Sequence, residues 1–169
     1  GKIAAIDSLM TSSLLVRLLK AGIGFSAAVK LINSSMLVKS NNESFATLDI
    51  ACINLYTGRL DLLKLGAAAT FLKTNDRITC VQASSLPIGI LRDIQPEMRS
   101  TVLKDGDSIV MISDGVSEKA YPAVKEEMLN HTENSSDDIS KILVEKSYKQ
   151  FENEKADDIT IIVAKILKL

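Results

Sequence analysis

Lys-Asp-Gly-Asp-Ser-Ile-Val-Met-Ile-Ser-Asp-Gly, residues 104–115, is the stretch of sequence that decides the predicted fold. Its Asp105-Gly106 pair predicts a turn, because glycine adopts positive φ freely and aspartate can hydrogen-bond its own backbone. The apolar run Ile109–Ile112 follows without a polar break. A short run of this kind, rich in β-branched residues, is typical of a strand buried on both faces.

The strand is followed directly by Ser113-Asp114-Gly115, so a carboxylate stands at its end and Gly115 lets the backbone bend away. A carboxylate in a buried position is costly to desolvate unless a positive charge lies against it. Residues 105–118 contain no Lys or Arg. We therefore expect the partner of Asp114 to be either a residue distant in sequence or a metal ion.

A second acidic pair, Asp157-Asp158, comes just before the apolar run Ile159–Ala164, which also predicts a strand buried on both faces. If the two strands are antiparallel neighbours, Asp114 and this pair meet at one edge of the sheet, where a proton or a cation must offset their repulsion. Carboxylate oxygens suit Mg²⁺ or Mn²⁺, and such sites fit metal-assisted phosphoryl chemistry. The alternative is an ordinary turn and a solvated loop, and spacing alone favours it.

Composition bounds the classes of protein to consider. The 169 residues form one predicted domain with a substantial core, and a net charge of -1 argues against a nucleic-acid partner. We find no apolar run of about 18 residues, so no membrane contact is expected and a cytoplasmic location is predicted. Cys52 and Cys80 are expected to be reduced core residues. The single histidine, His131, is expected on the surface and excludes most histidine-based mechanisms.

The other segments alternate between helical and strand patterns. Apolar residues at helical spacing predict two helices near the start, the first ending at Gly22 and the second capped by Ser26. Apolar runs separated by short turns predict antiparallel strands in the middle of the chain. After Gly115 two further helices are predicted, with Pro122 at a first helical position and Ser136 as a possible cap.

Several motifs, in order along the chain, resemble those of the PPM-type (protein phosphatase 2C-like) serine/threonine phosphatases. Ser-Asp-Gly-Val-Ser-Glu at 113–118 is similar to the second Asp-Gly motif of that family, and Asp-Asp-Ile-Thr at 157–160 to its last acidic motif. Ala-Thr-Leu-Asp at 46–49, Leu-Gly at 65–66 and Ser-Leu-Pro-Ile-Gly-Ile at 85–90 are similar to one branch, the phosphatase domains of the stage II sporulation protein E family.

The resemblance implies an α+β fold with two antiparallel sheets sandwiched between helices, and a binuclear Mn²⁺ or Mg²⁺ centre between the sheets. It implies no protein nucleophile, because the metals activate the attacking water. By motif, Asp114 and Asp157 are the expected metal ligands, and Asp158 is a further candidate ligand. Gly115, Gly66 and Thr47 are expected to line or support the site.

The resemblance also implies a partner, a phosphorylated anti-anti-sigma factor-like protein, and a parent protein that carries membrane spans elsewhere. The family's first Asp-Gly motif and its first strands precede the position of Gly1 and are missing. Residues 1–169 are therefore expected to be an incomplete phosphatase domain, weakly active at most. Uncovered sheet edges would favour a homodimer. The alternative is a non-catalytic, phosphatase-like binding or dimerisation module.

Overall fold

A computed structural model of the chain describes residues 2–39, 45–75, 77–130, 135–149 and 157–167. The prediction of two antiparallel sheets with helices is confirmed. The sheets have the strand orders β1-β2-β5 and β4-β3-β6-β7. The elements in chain order are α1 (Lys2–Lys20), α2 (Phe25–Lys39), β1 (Leu48–Ile53), β2 (Arg59–Leu65), β3 (Thr70–Thr74), β4 (Arg77–Val81), β5 (Glu97–Val102), β6 (Ser108–Ile112), a 3₁₀ helix (Glu118–Ala120), α3 (Tyr121–Asn130), α4 (Ser136–Tyr148) and β7 (Ile161–Lys165).

One compact unit of the chain comprises residues 1–50, 62–67 and 83–99, and in it α1 packs on α2. The buried side chain of Asn33 anchors the loop at 89–92, donating to the carbonyls of Leu91 and Arg92 and accepting from the Gly89 amide. The core of this unit is formed by one face of α2 together with the end of β2 and two loop residues: Val29, Ile32, Met36, Leu63, Leu65, Ile88 and Ile94.

The second compact unit comprises residues 51–61, 68–82 and 100–169, and it contains the four-stranded sheet. All three pairs in that sheet are antiparallel. Helix α3 contacts β3, β4 and α4, and α4 contacts β7. Their shared core consists of residues from the strands, the helices and the segments beside them: Ala69, Phe71, Val110, Ile112, Val116, Ala120, Val124, Met128, Ile139 and Leu143. This packing fixes β6, the strand that the turn with Asp114 follows.

The sequence predicted the presence of the helices more accurately than the residues at which they begin and end. Gly22 does end α1, with φ +79°, as predicted. Helix α2, however, begins at Phe25, and the Ala28 amide bonds the Gly24 carbonyl at 2.9 Å, so Ser26 lies inside the helix. The cap of α4 is Ser135, whose Oγ accepts from the Asp138 amide at 3.1 Å, and not Ser136.

Three further expectations concern position within the fold. Pro122 is the second residue of α3 and not the first. Cys52 is exposed, contrary to the prediction of a core residue, whereas Cys80 is half-buried against the core of the second unit. Strand β7 is only half-buried, with Ile162 57% exposed, because it is the last strand in its sheet's order. His131 lies outside the described residues.

Candidate metal site at the ends of β6 and β7

The pairing of β6 with β7 brings the two acidic segments to one end of the strand pair. The strands are antiparallel, and the pairing runs from Ser108 opposite Lys165 to Ile112 opposite Ile161. One step further, the Ser113 amide donates to the Thr160 carbonyl at 2.9 Å. The segment after β6 and the segment before β7 are therefore in direct backbone contact, as the sequence predicted for antiparallel neighbours.

Asp114 lies in a tight turn that leaves the end of β6. The Val116 amide donates to the Ser113 carbonyl at 3.1 Å, which closes the turn around Asp114 and Gly115. The Asp114 side chain is exposed, although the strand before it is buried. The expectation that burial forces a positive partner onto Asp114 is therefore wrong, because solvent reaches this carboxylate once the turn carries it past the strand end.

Gly115 is the point where the first acidic segment touches the second. An added Cβ at Gly115 would lie 2.3 Å from the carbonyl oxygen of Asp158 and 3.5 Å from the Cα of Ile159. Glycine is buried here and is the residue without a side-chain carbon to collide with that carbonyl. The close approach explains why an Asp-Gly pair, and not merely an aspartate, ends β6.

The second acidic segment is ordered by its own side chain and by Ser113. The Asp158 amide donates to the Asp157 Oδ1 atom at 2.8 Å, a local bond of the type common at turns. The Thr160 amide donates to the Ser113 Oγ atom at 2.9 Å. Asp157 and Asp158 are both exposed. Carboxylates from two segments 43 positions apart in sequence thus stand at the same strand ends.

Two further predicted site residues, Thr47 and Gly66, belong to the first compact unit. Thr47 is exposed and lies just before β1. Gly66 has φ +60°, donates its amide to the Ser85 carbonyl at 2.9 Å, and has room for no Cβ because Pro87 would lie 2.5 Å away. This contact accounts for the glycine structurally, and the role of both residues in lining a site stays a prediction.

The donor set can be tested against the ion that the motifs imply. Carboxylates of Asp114, Asp157 and Asp158 are hard oxygen ligands, and their exposure leaves them accessible to a hydrated ion. Within the described ranges, no group of three or more His, Cys, Asp or Glu side chains is arranged to hold a metal. In kind, these carboxylate oxygens are the ligands that Mg²⁺ and Mn²⁺ prefer.

Ser113 is the residue of this site to which the sequence analysis gave no role. Its amide, carbonyl and hydroxyl all make hydrogen bonds around the two acidic segments. The only sequence signal was its place immediately before Asp-Gly.

None of the helices in the described part of the chain is long and apolar enough to cross a membrane.

Comparison with known proteins gives consistent matches over nearly the whole chain. The family model for stage II sporulation protein E (SpoIIE) matches residues 1–167. Stage II sporulation protein E from Bacillus subtilis is 33% identical over 172 residues, an alignment that covers 98% of this chain and 21% of that protein. The chain therefore spans about a fifth of the length of this curated relative.

Solved structures of the same relative also match. The structure of the PP2C phosphatase domain with a fragment of the regulatory domain of SpoIIE from Bacillus subtilis is 33% identical, with a TM-score of 0.82, covering 95% of this chain and 50% of that one. The Bacillus subtilis phosphatase domain presoaked with Mn is 33% identical, with a TM-score of 0.67, covering 94% of this chain and 73% of that one.

Proposed function

Because this chain belongs to the stage II sporulation protein E family, we propose that it is the greater part of a metal-dependent protein serine/threonine phosphatase domain. Its reaction is hydrolysis of a phosphoserine on a regulatory protein. The meeting of the two acidic segments at the ends of β6 and β7 is the observation that carries the proposal. The likeness to the PP2C phosphatase domain of the Bacillus subtilis relative supports it.

Asp114 and Asp157 would hold Mn²⁺ or Mg²⁺, with Asp158 as a further ligand, and two ions are proposed for the intact domain. Such ions, when bound, would polarise the phosphoryl group of the substrate and lower the pKa of a bound water. The Mn-presoaked structure of the relative supports this choice of ion. The chain's own residues orient the ligands: the turn closed by Ser113 and Val116 presents Asp114, and the Asp158 amide holds Asp157 through its Oδ1 atom.

The proposed substrate is a phosphorylated anti-anti-sigma factor-like protein, with a role in the control of a sporulation sigma factor. The likeness to a protein named for stage II of sporulation supports this role. Gly66 and Thr47 are proposed to line or support the site. A homodimer is also proposed, because large apolar side chains such as Leu55 and Tyr56 are 88% and 99% exposed. A monomer by light scattering at high concentration would count against the dimer.

The Asp114→Ala variant tests the proposed reaction. In the intact domain, removing this metal ligand should lower hydrolysis of a phosphoserine peptide in Mn²⁺ by more than roughly 100-fold, because mutating even a residue that only hydrogen-bonds a metal ligand typically costs about 10- to 100-fold. The fold should persist, because Asp114 is exposed. Asp137→Ala, which removes an exposed carboxylate from α4, is the matched control and should keep wild-type turnover. Equal turnover in Asp114→Ala and wild type would remove Asp114 from the mechanism.

A second candidate is a non-catalytic, phosphatase-like module that binds a regulatory protein. One observation favours it: in the part of the chain that the structure describes, no three metal-binding side chains form a group. A domain that includes the family's first Asp-Gly motif and still hydrolyses no phosphoserine substrate in either Mn²⁺ or Mg²⁺ would favour this module. Hydrolysis that disappears in Asp114→Ala and survives in Asp137→Ala would exclude it.

A further inference from the structure

Ser113 joins the two acidic segments through three separate groups. Its amide donates to the Thr160 carbonyl at 2.9 Å, which extends the β6–β7 pairing by one residue. Its carbonyl accepts from the Val116 amide at 3.1 Å, which closes the turn that carries Asp114. Its hydroxyl accepts from the Thr160 amide at 2.9 Å. Any residue other than proline could make the first two bonds, which use only the backbone, and only the third depends on the serine side chain.

The hydroxyl also faces the second acidic segment directly. The Ser113 Oγ atom lies 3.5 Å from the Asp158 carbonyl oxygen, and a serine hydroxyl can accept one bond and donate another. At 3.5 Å the contact with Asp158 is long, so the bond from Thr160 provides most of the link. The Ser113 hydroxyl therefore lies between the Thr160 amide and the Asp158 carbonyl, and it contacts both.

Two features of the backbone set the spacing that this link maintains. Gly115 sets how closely the segments can approach, because even a Cβ at this position would lie 2.3 Å from the Asp158 carbonyl oxygen. The hydroxyl of Ser113 prevents the segment from moving away, because the Thr160 amide would lose its acceptor. The contact at Gly115 limits how closely the two segments approach, and the hydrogen bond of Ser113 limits how far they separate.

We propose, on the basis of the function proposed above, that Ser113 is a positioning residue whose hydroxyl holds the Asp157-Asp158 segment at the distance from Asp114 that a shared divalent ion requires. It touches neither substrate nor water in this role. Its effect reaches the ion only through the separation of the two acidic segments. A carboxylate pair whose separation fluctuates binds a small hard ion less tightly, because Mg²⁺ and Mn²⁺ demand closely fixed oxygen ligands.

The experiment compares Ser113→Ala with Ser113→Thr, which keeps the hydroxyl, and with Ser140→Ala. Ser140 is a matched control because its Oγ donates within α4, to the Asp137 carbonyl at 2.8 Å, and not to either acidic segment. NMR first measures hydrogen exchange of the Thr160 amide without metal. The same samples are then titrated with Mn²⁺, and paramagnetic broadening of the Asp114 and Asp158 amide signals gives the affinity.

In Ser113→Ala we expect the hydrogen of the Thr160 amide to exchange about fivefold faster, because that is the effect of losing one ordinary hydrogen bond. The Mn²⁺ dissociation constant should rise at least about threefold, at unchanged global stability within the scatter typical of surface substitutions. Ser113→Thr should restore both values, and Ser140→Ala should change neither.

Unchanged exchange of Thr160 in Ser113→Ala would overturn the proposal, since the bond would then not exist in solution. Faster exchange with an unchanged Mn²⁺ affinity would also overturn it, since the hydroxyl would be structural only. A wild-type chain whose Asp114 and Asp158 signals never broaden with Mn²⁺ contradicts the proposed metal site itself. The exchange data, recorded without metal, tell that failure apart from a failure of Ser113.

Discussion

At Gly115 the two acidic segments approach so closely that a methyl group does not fit. A Cβ there would lie 2.3 Å from the Asp158 carbonyl oxygen, a backbone atom that cannot rotate away as a flexible side chain could. We therefore expect Gly115→Ala to lower the free energy of unfolding by about 1–3 kcal/mol, as overpacking does in protein cores. Urea unfolding followed by circular dichroism measures the change.

Gly24→Ala is the control for that substitution. A Cβ at Gly24 meets no atom within 4 Å, and its φ is not in the left-handed region. Because Gly24 immediately precedes α2, where glycine is preferred to alanine, we expect this substitution to lower the free energy of unfolding by about 0.5–1 kcal/mol, less than Gly115→Ala does. Equal effects of the two substitutions would mean that the contact with Asp158 is absent in solution.

The meeting of the two acidic segments was predicted from sequence better than their surroundings were. The acidic segments around Asp114 and Asp157 do meet, because antiparallel pairing of two recognisable strands requires it. The exposure of Asp114 was not predicted, because burial of a strand says nothing about the turn after it. The role of Ser113 could not be predicted, because its partner Thr160 is 47 residues away. No local pattern encodes such a distant hydrogen bond.

At the scale of secondary structure elements, α3 and α4 are joined by an ion pair that is buried on one side. The Lys146 Nζ atom lies 2.5 Å from the Glu127 Oε2 atom, and Glu127 is 1% exposed while Lys146 is 38% exposed. Lys146→Met removes the cation and leaves a buried carboxylate. We expect a loss of about 3 kcal/mol in the free energy of unfolding, the lower end for breaking a buried pair because the lysine is partly solvated.

Lys141→Met on the same helix is the control. Lys141 also lies 2.5 Å from its partner, Asp137, but both side chains are about two-thirds exposed or more, at 67% and 71%. Exposed pairs of this i,i+4 type are worth roughly 0.3–0.5 kcal/mol, so chemical denaturation should detect little change. A double variant, Glu127→Leu with Lys146→Met, should recover most of the stability. Equal losses in the two single variants would contradict the difference in burial.

The elements themselves follow from the sequence, while their ends and their exposure do not. Helical spacing identified α1 and α2, and apolar runs identified β6 and β7. The cap of α4 is Ser135 and not Ser136, since two adjacent serines can each act as a cap and backbone geometry decides between them. Strand β7 looks as apolar as β6, and its half-exposed state reflects its place in the order of strands.

At the scale of the whole molecule, the chain has the sheets and helices of a PP2C-like phosphatase. The family likeness rested on motifs spread along the chain from residue 46 to residue 160, and the fold brings the 113–115 and 157–160 motifs into contact through a single strand pair. Metal binding would therefore stabilise a contact between segments that are otherwise joined by few bonds. That coupling makes stability a direct measure of ion binding, independent of any substrate.

Added Mn²⁺ should consequently raise the melting temperature of the wild-type chain. A ligand that binds only the folded state at ten times its dissociation constant adds about 1.4 kcal/mol, which corresponds to roughly 3–6 °C for a chain of this size. Excess EDTA should reverse the shift. Asp157→Ala should abolish it, because the Asp157 carboxylate is one half of the proposed pair, whereas Asp137→Ala should leave it intact. A full shift in Asp157→Ala, measured by calorimetry, would place the ion elsewhere, since an ion held by Asp114 and Asp157 cannot keep its affinity after losing one of two charged ligands.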